Sequence, residues 1–322
     1  MKLDKEAISM FEKSGILFLY VESSLHAGSG TSLGIVDLPI QRERTTGYPI
    51  VQASGLKGCL REAAKGEDAQ KIKLVFGPDP QRGERPDEHA GALSVGDARI
   101  LLFPVRSLMG VFAWVTSQNA LARFLRDAEM ANLTINPIKW NTDGPRDKQE
   151  AWVSTSCDLI IQQQNKVVLE EYSFNANKRS EVDDIANWLA ENAFPKGQDN
   201  DEYSYWRKKV KTSLVILPDD AFQHFTLFST EVISRIRLND EKKTVDRGAL
   251  WTEEHLPSDT LLYAVLFASK PRVSNPPNDL KDGTAVLNFI KKCVDSKRLQ
   301  LGGDSTVGRG IVKARLATGG DQ

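Results

Sequence analysis

The first sustained apolar run, GILFLYVESS (Gly15–Ser24), is hydrophobic at nearly every position up to its last few residues. A run without alternation predicts a strand covered on both faces. It leads directly into LHAGSGTSLGIVDLPIQRERTTGYP (Leu25–Pro49), where four glycines and scattered polar residues match neither helical nor strand periodicity. That segment predicts a long loop. SGLKGCLREAAK (Ser54–Lys65) then sets Leu56, Leu60, Ala63 and Ala64 on one stripe behind Ser54, a suitable N-cap, and predicts a helix. KIKLVFG (Lys71–Gly77) predicts a short helix closed by its glycine, and PDPQRGERPDEHAG (Pro78–Gly91) a polar loop.

Farther along, ALSVGDARILLFPV and GVFAWVT read as strands, and SQNALARFLRDAEM as a helix capped by Ser117. Between Ala131 and Lys211 the pattern weakens into a polar loop (Asn141–Glu150), one strand in KVVLEEYSF, an acidic helix in EVDDIANWLAENA and a charged, aromatic linker. Residues 131–211 therefore read as an insertion on the surface of a main domain. SLVILPDD and SDTLLYAVLFAS return to core strands, GTAVLNFIKKCVD to an amphipathic helix, and LQLGGDSTVGRGIVKARL to strand, glycine loop and strand. Alternation in EVISRIRL, the polar turn NDEKK and the returning arm ALWTEEHL predict a long hairpin within residues 229–260. The β-α-β-β-α-β succession predicts an α+β fold, a ferredoxin-like core carrying these insertions in a single domain over residues 1–322.

Composition adds exclusions. No apolar stretch approaches the roughly eighteen residues of a membrane span. The N-terminus, MKLDKEAISMFEKSG, is charged throughout and lacks the pattern of a signal peptide. Cys59, Cys157 and Cys293 are odd in number and far apart, which points to a reducing, cytoplasmic setting without a disulfide framework. The net charge of −1 lacks the overall basic footprint of a nucleic-acid binder. Its distribution is uneven, however: Gln41–Arg61 has a local balance of +3 and Lys178–Glu202 one of −4. A basic region beside a glycine-rich loop suits a polyanion on one face.

Candidate chemistry narrows next. GGDSTVGRG (Gly302–Gly310) has no Gly-Lys-Ser/Thr and precedes a strand, so it is neither a Walker loop nor a dinucleotide fingerprint. It reads as a tight turn needing positive φ, or as bare backbone amides that approach a phosphodiester with Arg309 beside them. His26, His89, His224 and His255 show no zinc-motif spacing, and no nucleophile elbow is present. Mg²⁺ held by carboxylates and substrate phosphates leaves no such signature. The hairpin, with Trp251, Glu253 and Glu254 on its returning arm, reads either as a charged ribbon or as an arm that wedges between bases.

Four long stretches in order then carry a resemblance. HAGSGTSLGIVDLPIQRERTTGYPIVQASGLKGCLR, LSVGDARILLFPVRSLMGVFAWVTS, RIRLNDEKKTVDRGALWTEEHLPSDTLLY and LQLGGDSTVGRGIVKARL resemble the RAMP superfamily of CRISPR systems. Within it they are similar to the Cas-seven-type backbone subunits of type III-B (Cmr) effectors. The likeness spans most of the chain and is weakest from about Asn132 to Lys211. It implies an RRM-like (ferredoxin-like) core with an inserted subdomain and a protruding β-hairpin thumb. It also implies assembly of copies along a guide crRNA beside other Cmr subunits, with no membrane, and cleavage of complementary target RNA at regular intervals. Asp37 matches the family's cleaving aspartate, and His26, Glu253 and His255 match its cut-site positions. Tyrosine is common at the last of these, so His255 is a departure. Lys57 and Arg61 are the expected guide-backbone contacts, with Arg42, Arg44, Arg309 and the Gly302–Gly303 backbone as further phosphate contacts.

The chemistry fits that mapping. RNA supplies its own 2′-hydroxyl nucleophile. Asp37 is expected either as general base or as a ligand of Mg²⁺, and His26 or His255 as the group that protonates the leaving oxygen or stabilises charge. The alternative is a non-catalytic scaffold that coats guide RNA.

Overall fold

A computed structural model of the chain describes residues 11–32, 34–79, 85, 89–135, 144–197, 201–238 and 245–319. Strand β1 (Lys13–Val21) is buried from Ser14 to its end. The long loop after it reaches a short strand β2 (Ile50–Val51) and helix α1 (Ala53–Ala63). Ser54 lies inside this helix and is not its cap: Gln52 holds the N-cap position without a side-chain bond, and the Ala53 N–H donates to the Asp97 carboxylate at 2.8 Å. An acceptor supplied by a distant turn satisfies the helix end as a local cap does. Helix α2 (Ala69–Phe76) starts on the Asp68 side chain and ends at Gly77, whose φ of 96° suits glycine. Strands β3 (Leu93–Val95), β4 (Ala98–Arg106) and β5 (Phe112–Ser117) lead into helix α3 (Gln118–Met130), with the Ser117 hydroxyl accepting from Ala120 N–H.

Strands β6 (Glu150–Val153), β7 (Lys166–Leu169) and β8 (Tyr172–Lys178) follow. KVVLEEYSF is thus two strands, folded back at Glu170, whose φ is 49°. After helix α4 (Ser180–Asn192), the expected linker contains a helix, α5 (Ser204–Ser213). Trp206 and Val210, four residues apart, both pack on one core cluster and hold it there. Strand β9 (Leu214–Leu217) stops at Pro218, which opens helix α6 (Asp219–Phe228) instead of extending the strand. Proline gives no N–H to a ladder but suits a helix start. The chain ends with β10 (Glu231–Leu238), β11 (Val245–His255), β12 (Leu261–Ala268), α7 (Gly283–Val294), β13 (Arg298–Gln300) and β14 (Ile311–Thr318). The expected turn at NDEKK lies outside the described residues, as do most of PDPQRGERPDEHAG and the first residues of the loop expected from Asn141.

Twelve strands form one sheet in the order β13-β14-β1-β12-β4-β5-β9-β6-β8-β7, with β2 on β4 and β3 on β12. The neighbours β14, β1, β12 and β4 are antiparallel, with α1 in the connection from β1 to β4 and α7 in that from β12 to β14. The region expected as an insertion continues this sheet through the parallel β5–β9 pair. Both faces are covered, which explains the unbroken apolar run in β1. Leu17, Leu19 and Val21 join a cluster with Leu56, Leu60 and Ile290 of α1 and α7. Ile16, Phe18 and Tyr20 join another with Phe124, Trp188 and Leu189 of α3 and α4. β10 and β11 make a separate two-stranded sheet. No described helix is long and apolar enough to cross a membrane.

Phe124 is fully buried and touches Phe18, Trp188 and Tyr263 with ring centroids 5.9, 5.6 and 5.1 Å away. Phe124→Ala is expected to destabilise the chain by about 3–5 kcal/mol, read as a lower urea midpoint at unchanged slope.

Candidate active site

The loop from Leu25 to Pro49 is irregular but not loose, because it is laced to the returning arm of the hairpin. Leu25 bridges Leu256, and Leu38 bridges Glu253 in parallel sense. Leu38 N–H donates to Thr252 O, and Glu254 N–H to Leu38 O, both at 3.0 Å. The loop thereby serves as a third edge beside β10 and β11. Adjacent strand residues face opposite ways, so the carboxylate pair Glu253 and Glu254 is split. Glu254 turns toward the loop. One oxygen accepts from Ile40 N–H at 3.1 Å; the other accepts from Thr230 Oγ1 at 2.8 Å and pairs with Arg42. The Arg42 guanidinium also donates to the Gly47 and Thr226 carbonyls at 2.8 and 2.9 Å, so this predicted phosphate contact is built into the loop's own fold.

Asp37 stands at the exposed crest of the loop. Its Oδ2 accepts from Thr252 N–H at 2.8 Å and Thr252 Oγ1 at 2.9 Å. The backbone N–H of Thr252, then its hydroxyl, hold the Asp37 carboxyl below the usual carboxylate range. Oδ1 takes no hydrogen bond from another described residue. Asp37 thus presents one anchored oxygen and one open to an incoming group.

His26 is half-exposed, and its Nδ1 lies 2.7 Å from the Glu254 carbonyl. A carbonyl only accepts, so Nδ1 carries the proton and Nε2 is left for other partners. Gly28 keeps that nitrogen uncovered, since a Cβ there would lie 2.7 Å from Nε2. The Asp37 and His26 anchors, Thr252 and Glu254, are two residues apart on one strand, roughly 7 Å. The Gly302–Gly303 loop closes behind His26: Gly303 N–H donates to His26 O at 2.9 Å, and Gly302 (φ 79°) has no room for a Cβ, which would sit 2.4 Å from that oxygen. The close approach made by these glycines is to the protein's own backbone.

Glu253 and His255 lie under the surface. Glu253 Oε1 accepts from Trp251 Nε1–H at 2.7 Å, and its Oε2 stands 2.7 Å from Arg235 Nε and 3.5 Å from His255 Nε2. Burial pushes the Glu253 pKa up, but Trp251 and Arg235 outweigh it and hold it below the ordinary range. His255 is 0% exposed, its ring centroid 5.2 Å from that of His26. Burial, then the His26 ring and Arg309, depress its pKa and keep it neutral. Asp37 and His26 are thus reachable from solvent, and Glu253 and His255 lie behind them.

The remaining predicted contacts are spread out. Lys57 is half-buried and donates to Leu93 O at 3.0 Å, and burial followed by Arg61 lowers its pKa. Arg61 donates to Gly77 O at 3.0 Å and lies 3.7 Å from Asp79. Arg309 donates to Ser24 Oγ and lies 4.0 Å from Glu231. Arg44 is exposed and has no side-chain partner among the described residues. Thr252, Arg235 and Asp304 were not foreseen.

This fold and this loop define a class: the chain belongs to the RAMP superfamily, whose profile matches residues 18–313. It is 40% identical to the CRISPR system Cmr endoribonuclease Cmr4 of Pyrococcus furiosus, over 94% of this chain and 96% of the relative. It is 28% identical to the CRISPR system CMR subunit Cmr4 of Saccharolobus solfataricus, over 92% of this chain and 94% of that one. Among solved structures, oligomeric Cmr4 from Pyrococcus furiosus matches with a TM-score of 0.69 at 32% identity, covering 95% of this chain and 98% of the other.

Two predictions follow from the anchoring. Glu254→Ala removes a buried acceptor from Arg42, Ile40 N–H and Thr230 and is expected to cost about 3 kcal/mol in denaturant unfolding. Thr252→Val removes one of two donors to Asp37. The Asp37 carboxyl, followed by NMR, is expected to titrate at higher pH than in the parent chain, while the backbone N–H retains part of the depression.

Proposed function

We propose that this chain is a backbone subunit of a type III-B Cmr ribonucleoprotein. It binds guide crRNA along a filament of its own copies, beside other Cmr subunits in the cytoplasm, and cleaves complementary target RNA through the Asp37 loop. The observation that carries this reading is the end-to-end likeness to a relative named a Cmr endoribonuclease. The sheet order β14-β1-β12-β4, with its two helices, supports an RRM-like (ferredoxin-like) core. Residues 131–211 are then the inserted subdomain and 229–260 the thumb. In the hairpin, Ile236 and Leu250 are cross-strand partners, 51% and 64% exposed, two residues along from the Ser234–Thr252 pair. An exposed apolar pair two residues from the Asp37 anchor suits a wedge between bases, which frees one sugar to turn.

The 2′-hydroxyl of the unstacked nucleotide attacks the adjacent 3′-phosphorus as the bond to the 5′-oxygen of the next nucleotide breaks, leaving a 2′,3′-cyclic phosphate and a 5′-hydroxyl. Alignment supplies about 7–11 kcal/mol of the acceleration. With Oδ2 held by Thr252 and Oδ1 open, Asp37 holds and orients charge at the reacting phosphate. One exposed carboxylate with an open oxygen suits Mg²⁺, which Asp37 would hold together with substrate phosphates. When bound, Mg²⁺ supplies compensation for charge developing on phosphate oxygens. His26 Nε2, with Nδ1–H fixed on Glu254 O, is the nitrogen that gains or releases a proton at the reacting oxygens. Glu253 and His255 support His26 from below.

Asp37→Ala in a reconstituted complex is expected to keep guide and target binding while cutting falls by on the order of a hundredfold or more. Unchanged cleavage fragments make the chain a scaffold. Arg44→Glu is expected to weaken guide binding and to reduce the slope of log affinity against log salt by about one. A slope identical to that of the parent chain removes Arg44 from the RNA face.

A further inference from the structure

Behind His26, four of the eight buried side-chain polar atoms without a hydrogen-bond partner, among the described residues, gather at one point. They are both ring nitrogens of His255, Oε2 of Glu253 and Nε of Arg235. A buried imidazole ordinarily satisfies its donor and its acceptor; His255, with no exposure at all, satisfies neither. Arg235 does not resolve this. Its Nε is 2.7 Å from Glu253 Oε2, yet the N–H is not directed along a hydrogen bond, while Nη2 lies 2.9 Å from Asp304 Oδ2. The guanidinium balances the two carboxylates as a charge and leaves the histidine unpartnered.

The spacing suits a smaller, more concentrated cation. One donor atom from each of Glu253, His255 and Asp304 lies within 4.8 Å of the others. Two ligands at about 2.1 Å on tetrahedral directions stand roughly 3.4 Å apart, and His255 Nε2 is 3.5 Å from Glu253 Oε2. One imidazole and two carboxylates form a mixed N/O set that suits Zn²⁺ and its first-row neighbours, whereas Mg²⁺ takes oxygen ligands. Arg235, with its side chain 24% exposed, has room to swing toward solvent as an ion enters.

We propose that Glu253, His255 and Asp304 form a Zn²⁺-type transition-metal site, closed in the metal-free chain by Arg235. The ion joins the hairpin arm to the turn that holds Asp304, in the same loop as Gly303, whose N–H grips His26 O. It is a structural clamp behind the cut site, separate from the Mg²⁺ proposed at Asp37, and it does not depend on the cleavage reading.

The test uses the full-length, tag-free chain without RNA, titrated with Zn²⁺ by calorimetry and with Co²⁺ as a spectroscopic probe. One Zn²⁺ per chain is expected, with a Co²⁺ visible spectrum of low-symmetry N/O ligation and little binding of Mg²⁺. H255Q and D304N are each expected to weaken Zn²⁺ binding tenfold or more. R235Q removes the competing cation and is expected to tighten it, a gain that misfolding cannot produce. Absence of a one-to-one complex, or a complex indifferent to H255Q and D304N, overturns the site. An R235Q chain that binds no more tightly overturns the exchange with Arg235.

Discussion

The carboxylate of Glu254 is the constraint on which the rest of the site depends. It is buried at the root of the hairpin arm, and three groups converge on it: Ile40 N–H and Arg42 from the loop, and Thr230 from the entry to the hairpin. A buried anion is tolerated only when paired and fully hydrogen-bonded. That requirement turns an irregular, glycine-rich segment into one fixed course. Once the loop is pinned there, Leu38 falls into register with the arm, Asp37 lands on Thr252 and His26 lands on the Glu254 carbonyl. The same residue thus anchors the loop with its side chain and orients His26 with its backbone.

The alternation of the hairpin arm then separates labour between its two sides. Thr252 and Glu254 serve the loop, while Glu253 and His255 point the other way, into a buried cluster with Arg235 and Asp304. The first side anchors the loop that carries exposed Asp37 and half-buried His26. On the second, Glu253 and His255 are buried, while Arg235 and Asp304 stay partly exposed.

Much of this was legible in the sequence, and the reasons differ by element. The unbroken apolar run of β1, the Ser117 cap and the closing glycine of α2 are local signals, and the structure bears them out. The start of α1 was misread because its cap, Asp97, comes from 44 residues away in sequence. Helix α5 was hidden because its core contacts rest on only a few apolar side chains in a charged segment. Asp37 and His26 were legible through family likeness, and their anchors Thr252 and Glu254 were not, since each contact spans more than 200 residues. The inward turn of His255 was equally illegible. Strand alternation tells which residues share a face but not which face is covered.

The account stands on Asp37 and His26 being the groups that meet the scissile phosphate. A structure of the assembled complex with guide and an uncleavable target bound measures this most directly. The scissile phosphate is expected beside both side chains, with His26 Nε2 in hydrogen-bond reach of a reacting oxygen, Asp37 Oδ1 linked to the phosphate through one intervening ion or water, and Glu253 and His255 still beneath. A scissile phosphate that lies away from both side chains, or is approached instead by residues of another subunit, contradicts it.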